Sequence, residues 1–213
     1  MKFPEIKYKG NVNKEIVSKK DQYDSISLYK DLEYFYEAKS MDTFIKACEQ
    51  MVRTSKEYKV FINYVTEILG INYCQINPAI IANQDATVEM HHGPLFTLYD
   101  YCKIVLMDYI KHNKKITTFR ITDKVLDEHF ELNVQVVMCT VTNHEAIHNR
   151  DIFLNVNQGI GDINKFITKY AHCFDDDYKF RIYRYIKLCE ENKSFDTGIL
   201  DHEHIKPLID IAA

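Results

Sequence analysis

Val88-Glu89-Met90-His91-His92-Gly93-Pro94 ends an alternating run on two adjacent histidines. Alternation predicts a β-strand, where successive side chains point to opposite faces. Val88, Met90 and His92 then share one side, with Glu89 and His91 on the other. Gly93 and Pro94 break the strand, which leaves the histidine pair at a strand end. A second pair lies in His144-Glu145-Ala146-Ile147-His148. Residues four apart on a helix project from one face, so His144 and His148 can share a metal ion or a phosphate. Imidazole titrates near pH 6.5, which suits it to both metal ligation and proton transfer at neutral pH.

Working outward, residues 133–139 alternate Val134, Val136 and Met138 against Gln135 and Val137, and predict a second strand. Thr140 or Thr142 then caps the short helix bearing His144 and His148. Between the strands, Thr97 opens a helix over 98–110, and Thr122 opens another with Val125, Leu126 and Phe130 at helical spacing. His112 and His129, in polar sequence, read as surface residues. After the histidine helix, residues 152–156 read as a returning strand. Gly159 and Gly161 read as a turn leading to a helix capped by Asp162, because the nearby sequence lacks the rest of a nucleotide-binding loop. Two more helices are predicted over 163–170 and 178–189.

Upstream, residues 1–24 are polar and lysine-rich and read as an arm. Ser25 or Ser27 opens a helix through Leu28, Leu32, Phe35 and Tyr36. Asp42 caps one carrying Phe44, Ile45, Cys48, Met51 and Val52, and Ser55 begins another that stops at Gly70. The organisation expected is an arm and helical subdomain over 1–70, a histidine-bearing region over 71–158, and C-terminal helices with a polar tail over 159–213.

The segments Glu89-Met90-His91-His92, Asn133-Val134-Gln135-Val136-Val137-Met138 and His144-Glu145-Ala146-Ile147-His148 together resemble the HNH, or His-Me finger, endonucleases. The resemblance covers about residues 86–156. It implies a predominantly helical α+β fold holding a ββα-metal element, with a helical insertion at about 97–130 to fill the 52 positions from His92 to His144. It also implies one divalent ion (Mg2+, Mn2+, Ni2+ or Zn2+) on His91 and His144, with His148 as a further metal ligand or a phosphate contact. His92 falls in the general-base slot, with Asn133 or Gln135 to orient it, and Arg150 is near enough in sequence to reach a phosphate. The substrate implied is nucleic acid, with DNA the first expectation.

Composition limits these readings. A 46% hydrophobic, 27% charged chain of 213 residues is an ordinary globular one with ample length for a core. Its 6 Gly and 4 Pro favour helices over a sandwich. A formal charge of −4 argues against broad adhesion to nucleic acid. Six cysteines without short paired spacing read as reduced buried thiols. No apolar run approaches the ~20 residues that cross a bilayer, and the start lacks a signal-peptide core, so a cytoplasmic protein without a membrane partner is expected. Abundant Lys, Asn, Ile and Tyr is associated with AT-rich genomes, phages among them. Two other functions use the same residues. One is a non-catalytic phage factor with an HNH-like fold that binds a phage or host protein. The other is a zinc peptidase using His144-Glu145-x-x-His148, which would need a longer helix and a third ligand.

Overall fold

The computed structural model describes residues 29–192. The predicted arm at 1–24, the helix start at Ser25 or Ser27 and the tail beyond Asn192 lie outside the described residues. The protein is α+β and mainly helical, with seven α-helices and one two-stranded antiparallel sheet among the described residues.

The helices are α1 (Ala38–Thr54), α2 (Lys56–Asn63), α3 (Leu98–Lys111), α4 (Thr118–Phe130), α5 (Val141–His148), α6 (Ile163–Tyr170) and α7 (Asp176–Glu191). Their starts follow cap chemistry. Ser55, Thr97, Thr117, Thr140, Asp162 and Asp175 each accept a backbone N–H two or three residues on, which satisfies a donor that the first helical turn leaves free. At α3 the cap is reciprocal, because Asp100 also accepts from the Thr97 backbone. Two predicted starts move upstream. The helix assigned to Asp42 begins at Ala38, and the one assigned to Thr122 begins at Thr118 behind the Thr117 cap. Neither Ala38-Lys39-Ser40-Met41 nor Thr118-Phe119-Arg120-Ile121 holds a residue that would stop a helix. Of the predicted first helix, the described part is a single 3-10 turn, Leu32–Phe35.

The strands β1 (Val88–His92) and β2 (Val136–Thr140) pair so that His91 faces Val137 and His92 faces Val136. The chain order is therefore strand, two inserted helices, strand, helix. Residues 152–156 form no strand, contrary to the expectation. The free edge of β2 is occupied elsewhere: Ile160 exchanges backbone hydrogen bonds with Val136, and Gln75 bonds Met138 through both its backbone N–H and its side-chain oxygen. Phe153 instead stacks on Tyr185 of α7.

One hydrophobic cluster runs from Phe35 to Cys189. Helix α1 packs on α3 and α4, and α6 closes on α3. Met90, Val136 and Met138 enter this cluster from the sheet, while α5 lies against both strands. All six cysteines are buried free thiols. Gly161 holds φ +104, and a Cβ there would stand 2.2 Å from the Val134 carbonyl oxygen, so only glycine fits this turn.

Glu128 is a buried acid in the last turn of α4. Its side chain has no exposed surface, yet Lys124, Lys169, Tyr170 and Asn133 all donate to it at 2.8–2.9 Å. Burial alone would raise its pKa, but the hydrogen bonds from Lys169, Asn133, Lys124 and Tyr170 outweigh burial and hold the carboxyl below the usual range. Asn133 is spent on this network, which also reaches Glu131, so it does not orient His92.

Candidate metal centre

The alternation of β1 splits its histidines between two environments. His91 and Glu89 turn toward α5, whereas His92 turns into the core. On the α5 side, the ring of His91 lies 4.8 Å from that of His144 and 5.0 Å from that of His148, centroid to centroid. One ligating nitrogen from each of the three lies within 4.8 Å of the others. Two turns of helix, capped at Thr140 directly after β2, suffice to present His144 and His148 side by side.

The details fit a cation. Glu89 Oε2 stands 3.3 Å from His144 Nδ1, a carboxylate behind a histidine that fixes its tautomer and frees Nε2. That Nε2 lies 3.0 Å from His148 Nε2. Ligands on a tetrahedral ion at about 2.0–2.1 Å stand roughly 3.3–3.4 Å apart, so a few tenths of an ångström of opening admits one. Burial first, then His144 and His148, push His91 down to about 4, so its ring is neutral at pH 7 with a lone pair to give. Gly93 makes room for that ring: a Cβ there would meet His91 Nε2 at 2.7 Å. The centre is buried on the His91 side and exposed on the His148 side.

His92 is not part of it. Its ring stacks on Tyr58, and its Nε2 lies 2.9 Å from Nε2 of His129. His129 Nδ1 faces the Val125 carbonyl at 2.7 Å and must carry the proton there. His129 Nε2 is therefore the acceptor and His92 Nε2–H the donor, which leaves His92 Nδ1 a buried lone pair without a partner. The general-base assignment of His92 is corrected on this ground, since it is 5% exposed and faces away from the cluster. His129, expected at the surface, is fully buried. Gln135 does not orient His92 either, as its amide donates to the Val156 carbonyl at 2.6 Å. Arg150 lies just beyond α5, on the rim of a groove of about 520 Å³ with Ile147, Phe153, Phe180, Arg184 and Leu188. Sequence reasoning missed the role of Glu89, although the strand alternation already put it on the His91 side.

The His92–His129 pair has a pH consequence. Burial drives His129 down to about 4 from 6.5 and takes His92 well below 6.5. A histidine held neutral in the fold stabilises fully above pH 6.5, and the contribution is lost as pH falls from 6.5 toward 4, where the unfolded chain binds the extra proton. For His129 alone, stability at pH 5 is expected to be about 2 kcal/mol below that at pH 7.5. Denaturant titrations of His129→Gln check this. Glutamine can accept from His92 and donate to Val125 without titrating, so the decline should become shallower; an unchanged slope contradicts the assignment.

Fold and site together define a mainly helical α+β protein with a three-histidine cluster behind a two-stranded sheet. A family model for bacteriophage G278-like virion proteins matches residues 3–210, nearly the whole chain, and the chain belongs to that family. No curated protein and no solved structure matches it. Phage origin is thereby shown, and a virion family points to phage proteins as partners. No helix among the described residues is long and apolar enough to cross a membrane. A virion protein need not be cytoplasmic.

Proposed function

We propose that this chain is a non-catalytic component of the phage particle, whose His91, His144 and His148 hold one divalent transition-metal ion that fastens α5 to β1. The observation that carries the reading is the division of the histidines: three ring nitrogens converge within 4.8 Å, while the residue that would have served as base is sealed in the core. Three imidazoles suit zinc, nickel or cobalt; magnesium prefers oxygen ligands, which this centre does not offer in first contact. Family membership favours an assembly role over cutting. The ion would add a cross-link between two elements that otherwise meet through few buried side chains, since α5 has none buried.

A second reading is phosphodiester hydrolysis, favoured by the strand–strand–helix order and by the solvent-facing His148. It would need a base other than His92. The peptidase reading gains a third histidine in His91, but α5 ends at His148 and Glu145 stays exposed.

Metal analysis and plasmid nicking of the same preparation separate these readings. Zinc or nickel should bind tightly, and added Mg2+, Mn2+, Ni2+ or Zn2+ should give no more cleavage than a His148→Ala control. Metal-dependent nicking lost in both His91→Ala and His148→Ala would overturn the non-catalytic reading and support the nuclease.

A further inference from the structure

We infer that Asp108, His112 and His172 form a second, weaker site for a divalent transition-metal ion, independent of the three-histidine centre. Asp108 and His112 sit four apart at the C-terminal end of α3, so both side chains leave one face. His172 comes from a separate element, the 3-10 turn Ala171–Cys173 between α6 and α7. His112 Nδ1 and His172 Nε2 both converge on Asp108 Oδ1, at 3.0 and 2.9 Å, and the two rings lie 5.2 Å apart. Each residue offers one ligand atom within 4.8 Å of the others.

Lys114 matters to the chemistry. It holds the other carboxylate oxygen, Oδ2, at 2.8 Å, which fixes the carboxylate and leaves Oδ1 facing the imidazoles. In the metal-free protein the His172 ring N–H donates to Oδ1, while His112 Nδ1 donates to the Asp108 backbone carbonyl at 2.9 Å and lies 3.0 Å from Oδ1. An ion replaces those protons, with each imidazole nitrogen moving from about 3 Å to roughly 3.3 Å from Oδ1, the spacing that a tetrahedral ion requires. The side chains can make that move, since His112 and His172 are 52% and 42% exposed. Two histidines and one carboxylate suit zinc, nickel or cobalt, with water completing the shell. Three factors make the site the weaker one: the ordering of two exposed side chains, the Lys114 ammonium at the carboxylate, and the nearby Lys111, which donates to the His172 carbonyl. Occupancy would tie the end of α3 to the turn that enters α7.

The test is calorimetric titration of the full chain with Zn2+, and with Co2+ followed by its visible absorption. His202 and His204, which lie outside the described residues, are replaced by alanine throughout so that they cannot contribute. Two equivalents are expected, one tight and one weak. His112→Ala/His172→Ala should lose only the weak equivalent, and His91→Ala/His148→Ala only the tight one, each variant keeping the parent far-UV circular dichroism. A weak equivalent that is missing from the parent, or that persists in His112→Ala/His172→Ala, overturns the inference. Because the two double variants report separately, failure here leaves the three-histidine reading standing, and the reverse.

Discussion

Replacing His148 by alanine is expected to weaken zinc binding at the three-histidine centre by more than about 100-fold, since losing even a supporting group behind a ligand typically costs 10–100-fold. The side chain is exposed, so its removal takes away a ligand without opening the core. Competition against a chelator of known affinity gives the magnitude, and unchanged circular dichroism shows that the fold survives. His91→Ala should weaken binding as strongly but also disturb packing, because that ring is 6% exposed and lies against Gly93. Glu89→Gln makes the finer test. It can still hydrogen-bond His144 Nδ1 but lacks the charge, so a loss of about tenfold is expected. Equal affinity in wild type and His148→Ala would mean that the imidazoles meet for some other reason.

The largest expected loss of stability comes from Glu128→Ala, at about 3 kcal/mol. The substitution removes the acceptor shared by Lys124, Lys169, Tyr170 and Asn133, and strands the buried Tyr170 hydroxyl, while the Asn133 amide keeps only Glu131. The lysines are 27% and 39% exposed and can turn to water, which keeps the loss toward the lower end of that seen for breaking buried ion pairs. Acid should mimic the mutation. A carboxyl held below its ordinary pKa contributes stability above pH ~4.3 and loses it as pH falls through the folded value. Urea unfolding at pH 7 measures the mutational loss, and a difference under about 1 kcal/mol would show that the network is dispensable.

What could be read from sequence was what local periodicity encodes. The period-two run at 88–92 gave both a strand and the sides on which Glu89, His91 and His92 fall. Thr97, Ser55 and Asp162 announced their helices because capping is a local hydrogen bond. Histidines four apart on a short helix after a second strand were enough to bring His144 and His148 to His91. The misreadings concern which partner each side chain meets, which periodicity does not encode. Asn133 and Gln135 looked available, but each is consumed by another partner, Glu128 five residues back with its lysines in one case and the Val156 carbonyl, 21 residues on, in the other. His129 looked exposed because Asp127, Glu128 and Glu131 surround it, although its spacing of four from Val125 places it on the buried face of α4. The strand expected at 152–156 failed because Gln75 and Ile160 already occupy the edge of β2. Nothing local links Asp108 and His112 to His172, since that meeting depends on how α6 returns to α3.

X-ray absorption at the zinc edge, on protein loaded with one equivalent of zinc, tests the central claim most directly. Three imidazole nitrogens at about 2.0–2.1 Å are predicted, falling to two in His148→Ala. A shell with no more than one imidazole, or one unchanged in His148→Ala, would contradict it.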